Sequence, residues 1–319
     1  MPVTLADLAE ASTDKLVQGF INEVINDSFL LNMLTFDDCL TASGTSNLSY
    51  AYDRVIQNAT AKFRALNAEP EVSDVKVKKI TTQPGILSDS WKMDRVAYAA
   101  NNDLYLLKVT ESKDAIIRAF GNAFINGDTD TDANGFDGLS KALTESSTEF
   151  TSAVDLSAIT KDSALVFASE MDDMLGALTR DPDVLVVSRK MKSRMNAICR
   201  ILGISNVTQD TAGHRIQTWD GIPIEEVRGG ALTTNDVYAA CLGMEDLHGI
   251  TLAENAISVN VPDWTKPGAV KMGDAEFVCG LALKKTKSAG VLRAKPAASK
   301  PGPGETQGAN QGQDSEVQG

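Results

Sequence analysis

One passage of this chain constrains its architecture more than any other: Phe124-Ile125-Asn126-Gly127, an Asp/Asn/Gly-rich stretch, then Gly135-Phe136-Asp137-Gly138-Leu139. It closes a long amphipathic helix and turns the chain sharply into a new element. Upstream, Ile116, Phe120 and Phe124 fall on one helical face with Ile117 beside them, and Gly127 is the C-terminal stop. The same passage offers a second reading. Asp130-x-Asp132-x-Asn134-Gly135 matches the first half of an EF-hand calcium loop, which needs a bidentate carboxylate at its twelfth position. Lys141 stands there instead, and its ammonium repels a cation. The expectation is therefore a solvated turn, since Asp, Asn and Gly are the residues tight turns require.

At 319 residues and 43% hydrophobic content, the chain is long and apolar enough to build two domains with cores of their own. Its formal net charge is −13, from 43 acidic and 30 basic residues. Such a surface repels phosphates and anionic membranes, so generic DNA binding is disfavoured unless one face is locally basic. An acidic surface does suit a wall that encloses DNA without adhering to it. The start, Met1-Pro2-Val3-Thr4-Leu5-Ala6-Asp7, has neither a basic cluster nor an apolar core, and no apolar run approaches bilayer length. The expectation is a soluble cytoplasmic chain with no membrane partner. Cys39, Cys199, Cys241 and Cys279 lie far apart, and His214 and His248 are the only histidines. That excludes zinc sites of the usual spacing and leaves the cysteines as small buried hydrophobes.

Ser12-Thr13 can cap a first helix whose Val17, Ile21 and Val24 form one stripe up to Asp27. The pattern then changes. Leu48, Tyr50 and Tyr52 alternate with polar residues, as do Val75 and Val77 with Lys76 and Lys78, which predicts two strands joined by the polar segment 58–72. A two-stranded arm without a core is marginal alone, so it must lie on something else. After Trp91 the periodicity becomes helical up to Gly127.

A second globular region begins near residue 151. Its first helix carries Phe167, Met171, Met174 and Leu178 and stops before Arg180-Asp181-Pro182. The unbroken run Val184-Leu185-Val186-Val187 predicts a strand buried on both faces. Ser188 then caps a helix with Met191, Met195, Ile198 and Leu202, ending at Gly203. Arg189, Lys190, Lys192, Arg194 and Arg200 make that helix basic in an acidic protein, marking either a subunit contact or a solvated outer face. Short strands are expected at 214–219, 222–227, 237–242 and 275–285, with Val291-Leu292 the last apolar pair. Residues 296–319 have almost nothing to bury and are expected to be disordered.

Chemistry is not legible anywhere. Nucleophilic catalysis needs a base within reach of the nucleophile, and His214 and His248 have no elbow or triad context; both read as surface loop residues. Arg228-Gly229-Gly230 and Lys266-Pro267-Gly268 fit no phosphate loop and read as turns. The pairs Glu225-Glu226, Asp172-Asp173 and Asp37-Asp38 are adjacent, and adjacent side chains point different ways on a helix or strand. The expectation is no enzyme: no catalytic, cofactor-binding or metal residue is assigned.

Several stretches in order carry a resemblance. They are Phe63-Arg64-Ala65-Leu66-Asn67-Ala68-Glu69, Trp91-Lys92-Met93-Asp94-Arg95-Val96, Gly127 with Gly135-Phe136-Asp137-Gly138-Leu139, the run 184–188 with its basic helix, and Trp219-Asp220-Gly221-Ile222-Pro223-Ile224. Together, over roughly residues 5–294, the chain resembles the tailed-phage major capsid proteins of the Hong Kong 97 type (HK97-like fold). The resemblance implies an α+β fold: an N-terminal arm (1–43), an extended two-stranded E-loop (44–90), a peripheral domain with a long spine helix (91–150), an α/β axial domain (151–264), a return to the peripheral domain (265–294) and a disordered tail (295–319). It implies self-assembly into pentamers and hexamers of an icosahedral shell around double-stranded DNA, bound without sequence specificity. It also implies a virion location, with host cytoplasm during assembly, and as partners a separate scaffolding protein, a portal and a decoration protein. Some family members cross-link a lysine of this loop to a neighbour. Lys76, Lys78 and Lys79 occupy a comparable region, where no motif singles one out and solvated strand lysines are the expectation. Two alternatives remain: an encapsulin-type nanocompartment shell on the same fold, and, in a different class, a soluble α/β enzyme or calcium-binding protein using the 128–137 turn.

Overall fold

The helix expected before Gly127 forms the axis of the larger of two apolar cores. A computed structural model describes residues 4–6, 15–38, 49–57, 59–209, 215–227, 232–252 and 257–295. The Ser12-Thr13 cap, Cys39, Leu48, His214, Arg228-Gly229-Gly230 and the tail 296–319 lie outside them. In chain order come α1 (Lys15–Asp27), α2 (Phe29–Met33), β1 (Phe36–Asp38), β2 (Tyr50–Gln57), β3 (Lys76–Thr82), β4 (Gly85–Asp94), α3 (Arg95–Ala100) and α4 (Asn102–Asn126). Then follow α5 (Leu139–Leu143), β5 (Glu149–Thr151), α6 (Lys161–Gly176), β6 (Val184–Val187), α7 (Arg189–Leu202), β7 (Val207–Gln209), β8 (Arg215–Trp219) and β9 (Ile222–Glu226). Last are β10 (Val237–Ala240), β11 (Leu247–Thr251), β12 (Ile257–Asn260), β13 (Val270–Leu283) and β14 (Ala289–Arg293).

Ile116, Ile117, Phe120 and Phe124 of α4 are all buried, as their spacing predicts. They pack on a sheet centred on the long β13, which pairs antiparallel with β4 along one edge and with β12 and β11 along the other; β1 adds in parallel to β11. Phe120 meets Phe277 of β13 at 5.6 Å between centroids, and Phe36 of β1 meets Phe277 edge-on at 6.2 Å.

A seven-stranded sheet, β5-β14-β10-β6-β9-β8-β7, separates the two cores. Every residue of β6 is buried. Val184 and Val186 face the larger core, while Leu185 and Val187 face the second, which α6 and α7 cover with Phe167, Met171, Met174, Met191, Met195 and Ile198. The unbroken apolar run therefore has a physical cause: with period-two side chains, a strand shared by two cores needs an apolar residue at every position. The Ser188 hydroxyl accepts from the Met191 amide at 3.1 Å, and Gly203 closes α7 at φ 71°, as expected from the sequence.

Two expectations fail. The chain is not helical directly after Trp91: Gly85–Asp94 is a strand, and helix begins at Arg95, where the Asp94 carboxylate caps the Val96 amide at 2.7 Å. Trp91 and Met93 point inward while Lys92 and Asp94 face out, an alternation too short to read against the helical run that follows. Nor is His248 a surface loop residue. It is fully buried in β11.

Candidate interaction surface

The predicted two-stranded arm exists, with β2 and β3 paired antiparallel from Tyr50↔Thr82 to Gln57↔Lys76. Its base is anchored to the body residue by residue. The Tyr50 hydroxyl donates to Asp37 Oδ2 at 2.7 Å and lies 3.3 Å from His248 Nε2; the Tyr52 hydroxyl accepts from the Leu283 amide at 3.3 Å. Arg54 donates through Nε to Thr286 Oγ1 and through Nη2 to the Ala142 carbonyl, each at 3.2 Å, and the Val55 amide donates to the Lys284 carbonyl at 3.0 Å. Tyr50 and Tyr52 also cover Ile250 and Ala282.

Burial dominates the electrostatics here. It raises the Tyr50 phenol, helped by the hydrogen bond to Asp37, and raises Tyr52. It lowers the Arg54 guanidinium, whose two hydrogen-bond partners are neutral. It also lowers His248 to about 4, with Lys284 adding to the effect. Among the described residues, the His248 Nδ1 atom has no hydrogen-bond partner.

Beyond the base the arm has no support. All residues from 59 to 79 are exposed. Among the described residues the two limbs hold only each other: the Thr60 amide donates to Ser73 Oγ at 2.8 Å, Lys62 pairs with Glu71, and at the tip Arg64 Nη1 reaches the Ala68 carbonyl at 2.8 Å around Asn67 at φ 64°. Phe63 is fully exposed, Leu66 91% and Val72 88%. A strand rises about 3.3 Å per residue, so the strand part of this limb, Tyr50–Gln57, spans on the order of 23 Å. Burying a Phe or Leu side chain is worth about 1.5–3 kcal/mol, so this tip forgoes a stabilisation that only another surface can supply.

The acidic turn is built in the opposite way. Lys141 places its ammonium 2.5 Å from Asp128 Oδ1, 2.8 Å from Asp130 Oδ2 and 3.0 Å from Asp137 Oδ1. These carboxylates raise Lys141, and the lysine's hydrogen bonds help to lower Asp128 and Asp137. The residue that spoils the calcium pattern thus supplies the positive charge itself. Gly127 and Gly138 close the loop backbone against backbone, the Gly138 amide donating to the Gly127 carbonyl at 2.8 Å. A Cβ on Gly127 would overlap the Phe136 carbonyl oxygen, and one on Gly138 the carbonyl oxygens of Ala123 and Ile125. Both glycines are required by close approach, since neither has a positive φ.

Among the described residues no group of three His, Cys, Asp or Glu is arranged to hold a metal ion, and no helix is long and apolar enough to cross a membrane. Glu225 and Glu226 lie on β9, with Lys192 Nζ 4.0 Å from Glu225 Oε2; Asp172 is raised by burial and by its neighbours Asp220 and Asp173. Asp37 serves the hairpin base. Cys199, Cys241 and Cys279 are buried, with thiols raised by burial. Lys266-Pro267-Gly268 is a turn, its carbonyls at 266 and 267 accepting from Lys271 Nζ at 2.6 and 3.2 Å. On α7, Arg189, Lys190 and Arg200 are exposed.

No protein-family model matches the sequence, and no curated protein matches it. Solved structures do. A structure from Mycobacterium phage Adephagia matches with a TM-score of 0.58 at 12% identity, over 86% of this chain and 91% of that one. The capsid of a native GTA particle matches with a TM-score of 0.57 at 13% identity, over 83% and 89%. The SrpI encapsulin of Synechococcus elongatus matches with a TM-score of 0.57 at 14% identity, over 83% and 86%. At these identities the likeness is one of fold, and the fold is α+β of the HK97-like capsid and encapsulin type.

Proposed function

We propose that this chain is the major capsid protein of a tailed phage, assembling with copies of itself into pentamers and hexamers of an icosahedral shell that encloses double-stranded DNA. The observation that carries the reading is the hairpin: a base held by Tyr50, Tyr52 and Arg54, and a distal half exposed throughout and tipped with Phe63 and Leu66. Such an arm is built to lie on a second chain. Many weak contacts repeated around a closed lattice then give a large collective stability. The net charge of −13 supports a wall that does not adhere to its contents. The wider set of partners is a scaffolding protein, a portal and a decoration protein; the location is the virion, preceded by the host cytoplasm. The chain is not an enzyme in this reading.

An encapsulin-type shell is the second reading, favoured by the likeness to the SrpI encapsulin. Electron microscopy and sedimentation velocity of the purified chain, alone and co-expressed with its neighbouring genes, test both. Shells that fill only with a portal and packaging proteins support the phage reading, and shells that load a co-expressed enzyme support the encapsulin reading.

A further inference from the structure

A cleft of about 620 Å³ lies beside the hairpin base, and its charge is opposite to that of the molecule. Arg54, Lys78, Lys285 and Lys287 line it, against the single carboxylate of Glu145. Lys285 Nζ has a partial counter-ion in Asp246 Oδ1 at 3.4 Å. The other three cations have no ion-pair partner among the described residues. Arg54 is the most telling. Its guanidinium is half-buried, is lowered by desolvation, and spends two of its donors on the neutral Thr286 hydroxyl and Ala142 carbonyl. A desolvated charge without a counter-ion is costly, and one that persists in a cleft is poised for an external anion.

The same chain carries a matching element. The returning limb of the hairpin reads Glu69-Pro70-Glu71-Val72-Ser73-Asp74, exposed throughout. Lys62 compensates Glu71, while Glu69 and Asp74 have no ion-pair partner among the described residues. Neither Glu69 nor Asp74 lines the cleft of its own copy or pairs with its cations. In a chain of net charge −13, a basic recess on one copy that meets an acidic projection on the next offsets the repulsion between copies.

We propose that the basic cleft at the hairpin base receives the acidic returning limb of the hairpin from a second copy, Glu69 and Asp74 meeting Arg54, Lys78 and Lys287. The contact is heterologous, with different surfaces on the two copies, and so propagates head to tail and closes when the rotation between copies divides a circle. It rests on the shell reading and refines it: the apolar tip supplies adhesion, and the cleft fixes how far the arm advances over its neighbour. The cations are contributed by positions 54, 78, 285 and 287, which only the fold brings together.

The test is a charge swap at exposed positions, assayed with full-length protein by sedimentation velocity and electron microscopy across a salt series. Lys78→Glu with Lys287→Glu, and separately Glu69→Lys with Asp74→Lys, should each slow assembly about tenfold at low salt without changing the thermal transition of the unassembled chain. Combining the four should restore assembly to within about threefold of the original, as coupled positions do in a double-mutant cycle. Wild-type-like assembly in both pairs, or a quadruple variant no better than the worse pair, overturns the pairing while leaving the shell reading intact. A wild-type chain that never assembles overturns the shell reading itself.

Discussion

Two excursions leave the same body within a few residues of each other in space, and they resolve their charges and apolar groups in opposite ways. The 127–138 turn is closed on itself: Lys141 pairs with Asp128, Asp130 and Asp137, Gly127 and Gly138 interlock, and Phe136 packs against Phe120. The hairpin is satisfied only at its base, and everything from residue 59 to 79 faces solvent. The difference separates a structural loop from an interaction surface. A loop with its own counter-ion and its own apolar anchor needs no partner, whereas one with exposed Phe63, Leu66 and Val72 does.

The largest effect that sharpens this contrast is at the tip. Replacing Phe63 and Leu66 together by Ala removes about 3–6 kcal/mol from each intersubunit contact while leaving the melting temperature of the unassembled chain unchanged. Sedimentation against concentration reads the first and calorimetry the second; a fall in melting temperature would place the tip on its own body instead. Next in size, Gly138→Ala drives a methyl into the Ala123 and Ile125 carbonyl oxygens and costs about 3 kcal/mol in the unassembled chain, read by chemical denaturation. An unchanged midpoint would mean that the turn is not pinned by backbone contact.

A somewhat smaller effect concerns the hairpin base. His248 has a folded pKa of about 4, below its ordinary 6.5. Its contribution is therefore complete above about pH 6.5 and declines as pH falls toward 4, a loss of about 2 kcal/mol by pH 5. Amide exchange of β1, β2 and β11 should quicken over that window, and His248→Phe should flatten the dependence; an equally steep profile in the variant would assign the acid lability to other groups. The smallest effect is Tyr50→Phe, which removes the hydrogen bond to Asp37 and costs about 1 kcal/mol. It should quicken exchange at the base of the hairpin and leave the 127–138 turn as it was. Loosening of both would show the two excursions to be coupled.

Much of the fold was legible because its signals are local. The runs in β6, α6 and α7 and the Ser188 cap depend on residues close in sequence, and the structure places them as the pattern predicts. The alternation at Tyr50-Tyr52 and Val75-Val77 located the hairpin, and its shortage of apolar residues already implied a partner surface. What was missed is non-local. Gly85–Asp94 is a strand because β13 lies beside it nearly two hundred residues later in the chain, and no short window carries that information. His248 is buried because Tyr50 and β1 cover it. The Lys141 ion pairs follow from the loop closing, which the calcium pattern alone, read without Asp128 and Asp137, could not give.

The central claim, that the exposed hairpin is an arm for a second copy of this chain, is tested most directly by electron microscopy and sedimentation velocity on the purified protein beside its Phe63→Ala, Leu66→Ala variant. Shells, tubes or rings of many copies from the original, and a folded, slowly sedimenting species from the variant, are the predicted result. A stable monomer or dimer from the original chain under every condition, including co-expression with its neighbouring genes, would contradict it.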